Sequence, residues 1–132
     1  MRHRPTLTAD DARRMMAAAK AEAAKHDWKV AIAVVDEAGA LLLLERLDGA
    51  HGLTAELAHG KAKAAAALRR PSAMAAELLK QAPGLALASI GLPLPGGVPV
   101  MCEGECVGAV AASGAAAHED EQVASAGVAA LG

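Results

Sequence analysis

The residues best placed to do chemistry in this chain are a lysine, an arginine–aspartate pair, two glycines and a few histidines. Lys61 falls within the apolar stripe made by Leu57, Ala64 and Leu68, next to Gly60. A lysine aimed at the interior needs a partner, because burying an unpaired charge is costly. It is either an anion-binding ammonium or half of an internal salt bridge, with Asp48 and Asp120 as the natural carboxylates. Arg46 and Asp48 share one side of a strand end by alternation. Arg46 either grips a carboxylate ligand through two parallel hydrogen bonds, or pairs with Asp48 or an acidic residue of the last helix. Gly96-Gly97 follows a proline-rich loop and permits close backbone approach. Its bare N–H groups either cradle an anion or mark a tight turn. Ser113-Gly114, just before an acidic helix start, has the same two readings.

Five histidines are scattered rather than clustered. His3 lies in a terminal tail, His26 ends the first helix, and His118 stands near the last helix start. His51 sits in a glycine-flanked loop, and His59 shares a polar helix face with Glu56 and Lys63. None has the spacing of a zinc enzyme. His51 and His59 are the better candidates to reach a ligand's metal, because an exposed imidazole needs no dedicated pocket. Ser113 has no evident base, and neither Cys102 nor Cys106 lies in a nucleophile context. No Walker or Rossmann spacing is present.

These groups are positioned by a compact series of elements. Thr8 with Asp11 reads as the start of a helix reaching about His26, with Ala12, Met15, Met16, Ala19 and Ala23 inward. Val30 to Val35 is a β-branched run expected to be buried on both faces. The turn chemistry of Asp36 to Gly39 leads into a second strand from Leu41, making a hairpin. Thr54 is placed to cap a helix to about Leu68, and Ser72 a short one to about Gln81. Leu85 to Ile90 reads as a short strand. A second hairpin, Val98–Cys102 and Glu105–Ser113, turns at Glu103-Gly104, and a last helix opens near His118. A two-residue turn there pairs Cys102 with Glu105 and Met101 with Cys106, so the cysteines are expected as unlinked thiols.

At 132 residues the chain fits one domain, here 7–132 after a tail of residues 1–6. Lys+Arg number 13 against Asp+Glu 15, a net charge of -2, which argues against nucleic-acid binding. No apolar run reaches bilayer or signal-peptide length, so the expectation is a cytoplasmic protein without a membrane partner. Aromatics are only 1% while hydrophobic residues are 54%. A core of Ala, Val, Leu and Met gains less from burial than an aromatic one, so a homo-oligomer is expected.

Several stretches resemble the GlcG/HbpS-like (DUF336) family. They are Trp28 to Asp36 with Gly39 and Leu41, Arg46-Leu47-Asp48, Lys61-Ala62 with Ala65, and Gly96-Gly97-Val98-Pro99-Val100. Gly104, Gly108-Ala109-Val110, Ser113-Gly114, Asp120 and Ala124 continue the match in order, so it spans Leu7 to Leu131. The chain departs from the pattern at Ala40, Leu47, Ala64 and Ala111, where His, Met, Thr and Gly are frequent. The missing His and Met remove two iron-binding side chains. The resemblance implies a profilin-like three-layer α/β/α fold with a central antiparallel five-stranded sheet, and dimers to octamers. It also implies a haem-associated binding role, with His51 and His59 as the candidate haem ligands, and leaves open whether the protein is an enzyme. The rival readings are an auxiliary protein or enzyme of a catabolic operon, binding a small carboxylate through Arg46, Lys61 and Gly96-Gly97, and a structural oligomer without ligand.

Overall fold

The computed structural model describes residues 1–132. Helix α1 (Ala9–Lys25) opens on a complete capping box, the Thr8 hydroxyl accepting from Asp11 N and the Asp11 carboxylate accepting from Thr8 N. Its inward residues are the five expected ones. Strands β1 (Ala31–Asp36) and β2 (Leu41–Arg46) form the first hairpin. Helix α2 (Thr54–Leu68) is followed by a 3-10 turn at Ser72–Met74 and by α3 (Ala75–Gln81). Strands β3 (Gly97–Cys102) and β4 (Glu105–Ser113) form the second hairpin, and α4 (Ala117–Ala129) closes the chain.

The sheet is antiparallel throughout, with strand order β2-β1-β4-β3. It has four strands rather than five. The segment expected as the fifth, Leu85 to Ile90, instead lies in 3-10 turns over Pro83–Ala88. Pro83 fixes the turning backbone, Leu85 N closes onto Ala82 O at 3.0 Å, and the segment stays at the surface. The second hairpin has the expected register, Cys102 opposite Glu105 and Met101 opposite Cys106, and both cysteines are free.

Alternation along β1 and β4 builds two different cores. On one face Val30, Ile32, Val34, Val110 and Ala112 pack against α1 and α4 through Met15, Met16 and Val123. On the other, Ala31, Ala33, Ala109 and Ala111 meet Ala58, Ala62, Ala65 and Ala66 of α2. The second layer is almost purely alanine, so helix and sheet backbones approach closely. No helix is long and apolar enough to cross a membrane.

Two expected caps are used differently. Thr54 lies inside α2, because Leu53 before it already has helical backbone angles (φ -67, ψ -23). A hydroxyl in that setting reaches back, and Thr54 Oγ1 donates to His51 O at 2.5 Å. Ser72 caps nothing. Its hydroxyl donates to Leu94 O at 2.6 Å and accepts from Gly97 N at 2.8 Å, pinning the loop that leads into β3.

Candidate functional site

Five of the residues singled out by sequence meet where α2 crosses the end of β4. Lys61 and Asp120 are both buried, with Nζ 3.1 Å from Asp120 Oδ2. The ammonium also donates to Ala112 O at 3.2 Å. Asp120 Oδ1 accepts from Ala115 N at 2.9 Å, which orders the turn into α4. The pair therefore fastens the α2 layer to the α4 layer past the end of the sheet. Burial pushes the Asp120 carboxyl above its usual range, against the opposing pull of the Ala115 N–H and the Lys61 ammonium.

Gly96 and Gly97 complete this node. A Cβ on Gly96 would lie 2.6 Å from Ala112 O and 2.9 Å from Lys61 Cδ, and the residue has φ +131. A Cβ on Gly97 would lie 2.5 Å from Lys61 O. The two glycines are thus needed for close approach of the backbone to the lysine: the space above Gly96 is filled by the Lys61 side chain, and that above Gly97 by the Lys61 backbone and the Ser72 hydroxyl. Of the two sequence readings for Lys61, the internal salt bridge is the one formed, with Asp120 rather than Asp48. Ser113 is buried beside the node, on the sheet face that α2 covers.

Arg46 stands apart, at the end of edge strand β2, two strands from Ser113 with Ala31 between them in register. The expected pairing with Asp48 or with the last helix is not made: neither residue enters an ion pair. Both are exposed where β2 runs out into the Asp48–Gly52 loop, so water outcompetes a surface pair. A Cβ on Gly52 would lie 3.1 Å from Arg46 Nη1, so the guanidinium rests against the loop that carries His51.

The two favoured histidines differ. His59 is half-buried and its Nε2 lies 3.3 Å from Gly39 O. His51 is exposed, and its ring has no hydrogen-bond partner in the chain. His26 stacks on Trp28, with ring centroids 4.2 Å apart, and contacts Glu22. No three His, Cys, Asp or Glu side chains gather to hold a bare metal ion.

The contribution of Ser72 could not be read from sequence, since its partners lie 22 and 25 positions away. Only the Gly96-Gly97 pair hinted that some close contact had to be made there.

Fold and site together define a small three-layer α/β/α domain whose buried charges satisfy each other and whose uncommitted imidazole and guanidinium groups face outward. The chain belongs to the HbpS-like family: the family model described as haem degrading protein HbpS-like matches residues 7–129. Protein GlcG of Escherichia coli K12 is 36% identical over 114 residues, covering 86% of this chain and 85% of that protein. A double mutant of HbpS from Streptomyces reticuli superposes with a TM-score of 0.93 at 36% identity, covering 100% of this chain and 91% of that one. The haem complex of PduOC shares the fold, with a TM-score of 0.85 at 22% identity over 96% of this chain and 95% of that one.

Proposed function

We propose that this chain is a haem-associated binding protein acting in haem or iron handling. The observation that carries the reading is His51, an exposed imidazole with a free ring in a glycine-flanked loop, in a chain of the HbpS-like family. Neutral imidazole is a strong axial ligand, and a surface site asks little of the core. Hemin titration is expected to give a saturable Soret shift at no more than one haem per subunit, altered by His51→Ala. A flat titration would sink the reading.

The second reading, an auxiliary protein or enzyme of a catabolic operon that binds a small carboxylate, is favoured by Arg46, which has no acidic partner. It now rests on Arg46 alone, since Lys61 is paired with Asp120 and the Gly97 N–H donates to Ser72. A small organic acid would then raise the thermal midpoint with its concentration, and Arg46→Ala would abolish the rise.

The proposed assembly is a homo-oligomer, between dimer and octamer, in the cytoplasm. Only 35 of 132 residues are buried in the single chain, and large apolar side chains such as Met74 and Leu87 stand out from it. Burial between subunits is the simplest compensation for so small an aliphatic core. Sedimentation at micromolar concentration is expected to show a species well above 13.2 kDa, and a lone monomer would refute the proposal.

A further inference from the structure

The exposed end of β2 combines three chemistries that are seldom found together without a use. Arg46 offers a guanidinium with no carboxylate partner. Gly52 leaves room for that guanidinium to lie against the loop bearing the free ring of His51. Leu44 and Leu42 precede Arg46 on the outer strand, and Leu53 follows Gly52, all of them exposed. Leu44 is opposite Ala33 in the ladder, so it shares with Arg46 the sheet face that α2 covers farther in. The strip is the uncovered margin of that face. Apolar side chains there cost stability in water, and β2 is an edge strand whose outer backbone is unpaired.

A metalloporphyrin matches this combination group for group. Its ring is flat and apolar, its iron accepts an imidazole, and its propionates are carboxylates at the ring margin. We propose that Arg46 binds the propionates of a haem whose iron is ligated by His51, with Leu44 and Leu53 under the ring. The inference rests on the haem reading and deepens it: the carboxylate that Arg46 is suited to hold belongs to the same molecule as the iron. A guanidinium binds a carboxylate through paired charge-assisted hydrogen bonds, which makes the loss on truncation large enough to read. His59, tied to Gly39 O, takes no part.

The test uses the full chain with hemin, hemin dimethyl ester and metal-free protoporphyrin IX. Arg46→Ala is expected to weaken hemin and protoporphyrin IX by about tenfold or more, the range of a lost charged hydrogen bond, and to leave the ester unchanged. His51→Ala is expected to recolour hemin and to leave protoporphyrin IX unchanged. Equal hemin affinity in Arg46→Ala, or an equal loss for the ester, overturns the proposal. If hemin saturates but responds to His59→Ala instead, the haem reading stands and this site falls. If hemin does not bind at all, both fall. Leu44→Ser separates a second copy of the chain from haem as occupant of the strip. Reduced hemin affinity at unchanged sedimentation supports the proposal, whereas dissociation at unchanged hemin affinity assigns the strip to a subunit interface and overturns it.

Discussion

Asp120→Ala is expected to cost about 3–5 kcal/mol of folding stability, the range for removing one partner of a buried ion pair. The change leaves the Lys61 ammonium buried with only Ala112 O to accept from it, and strips Ala115 N of its acceptor. Small domains are stable by only about 5–15 kcal/mol, so the variant stands near the edge of folding. Urea unfolding monitored by helical circular dichroism measures the loss directly. The apolar pair Lys61→Met/Asp120→Leu is expected to recover most of it, because replacing both charges removes the desolvation cost along with the attraction. A loss below about 1 kcal/mol in Asp120→Ala would mean that Lys61 escapes to solvent through its flexible stem.

The same pair sets a sign for pH dependence. Burial raises the Asp120 pKa in the folded chain above its ordinary value of 3.8, so the folded state holds this proton more tightly than the unfolded state does. The Asp120 contribution therefore falls as pH rises from 3.8 through its folded value, and is level above that window. Asp11 and Glu22 run the opposite way. Hydrogen bonds from Thr8 lower the first, and the Gln122 amide lowers the second, so their contributions are lost as pH falls through their depressed values. Stability curves for the native chain and for Lys61→Met/Asp120→Leu are expected to differ by a term that declines with rising pH. A difference that grows with pH would contradict the buried, desolvated carboxyl.

Gly96→Ala is expected to be nearly as damaging. The backbone there has φ +131, where a side chain is strained, and the new Cβ would meet Ala112 O at 2.6 Å and Lys61 Nζ at 3.0 Å. Strain of about 1–3 kcal/mol adds to overpacking of about 1–3 kcal/mol. Gly104→Ala is the control. It too has positive φ, at +79, but nothing lies within 4 Å of its Cβ position, so it carries the strain alone. Thermal melts of the two variants should separate clearly, with Gly96→Ala the lower. Equal midpoints would show that the close contact with Lys61 relaxes freely.

Local signals were the ones legible in the sequence. The Thr8 and Asp11 capping box, the β-branched β1 run and the Glu103-Gly104 turn depend on residues within a few positions of each other, and each stands as expected. Long-range choices were not legible. Lys61 had two carboxylates to choose from, and only the crossing of α2 over the end of β4 selects Asp120, 59 positions away. Helix α2 also hid its inward face. Of the expected stripe, Lys61 and Ala64 are buried but Leu57 and Leu68 are only half-buried, and Thr54, Ala58, Ala62, Ala65 and Ala66 fill the rest of the inward face. Where seven of fifteen side chains are methyl groups, hydrophobic contrast between faces is weak and periodicity says little. The Leu85 to Ile90 segment failed for the converse reason. Its apolar run imitates a strand, yet it folds into 3-10 turns and joins no ladder.

The alanine layer between α2 and the sheet also has consequences for motion. Alanine has no side-chain rotamers to lose or to rearrange, so Ala58, Ala62 and Ala65 meet Ala31, Ala33 and Ala111 without any joint that can swivel. A mixed aliphatic interface absorbs a disturbance by flipping side chains in place. This one can answer only by moving the whole helix as a rod, and such a shift would carry Lys61 with it. The helix then moves as a unit, and the Lys61–Asp120 pair is among the contacts that hold it in place.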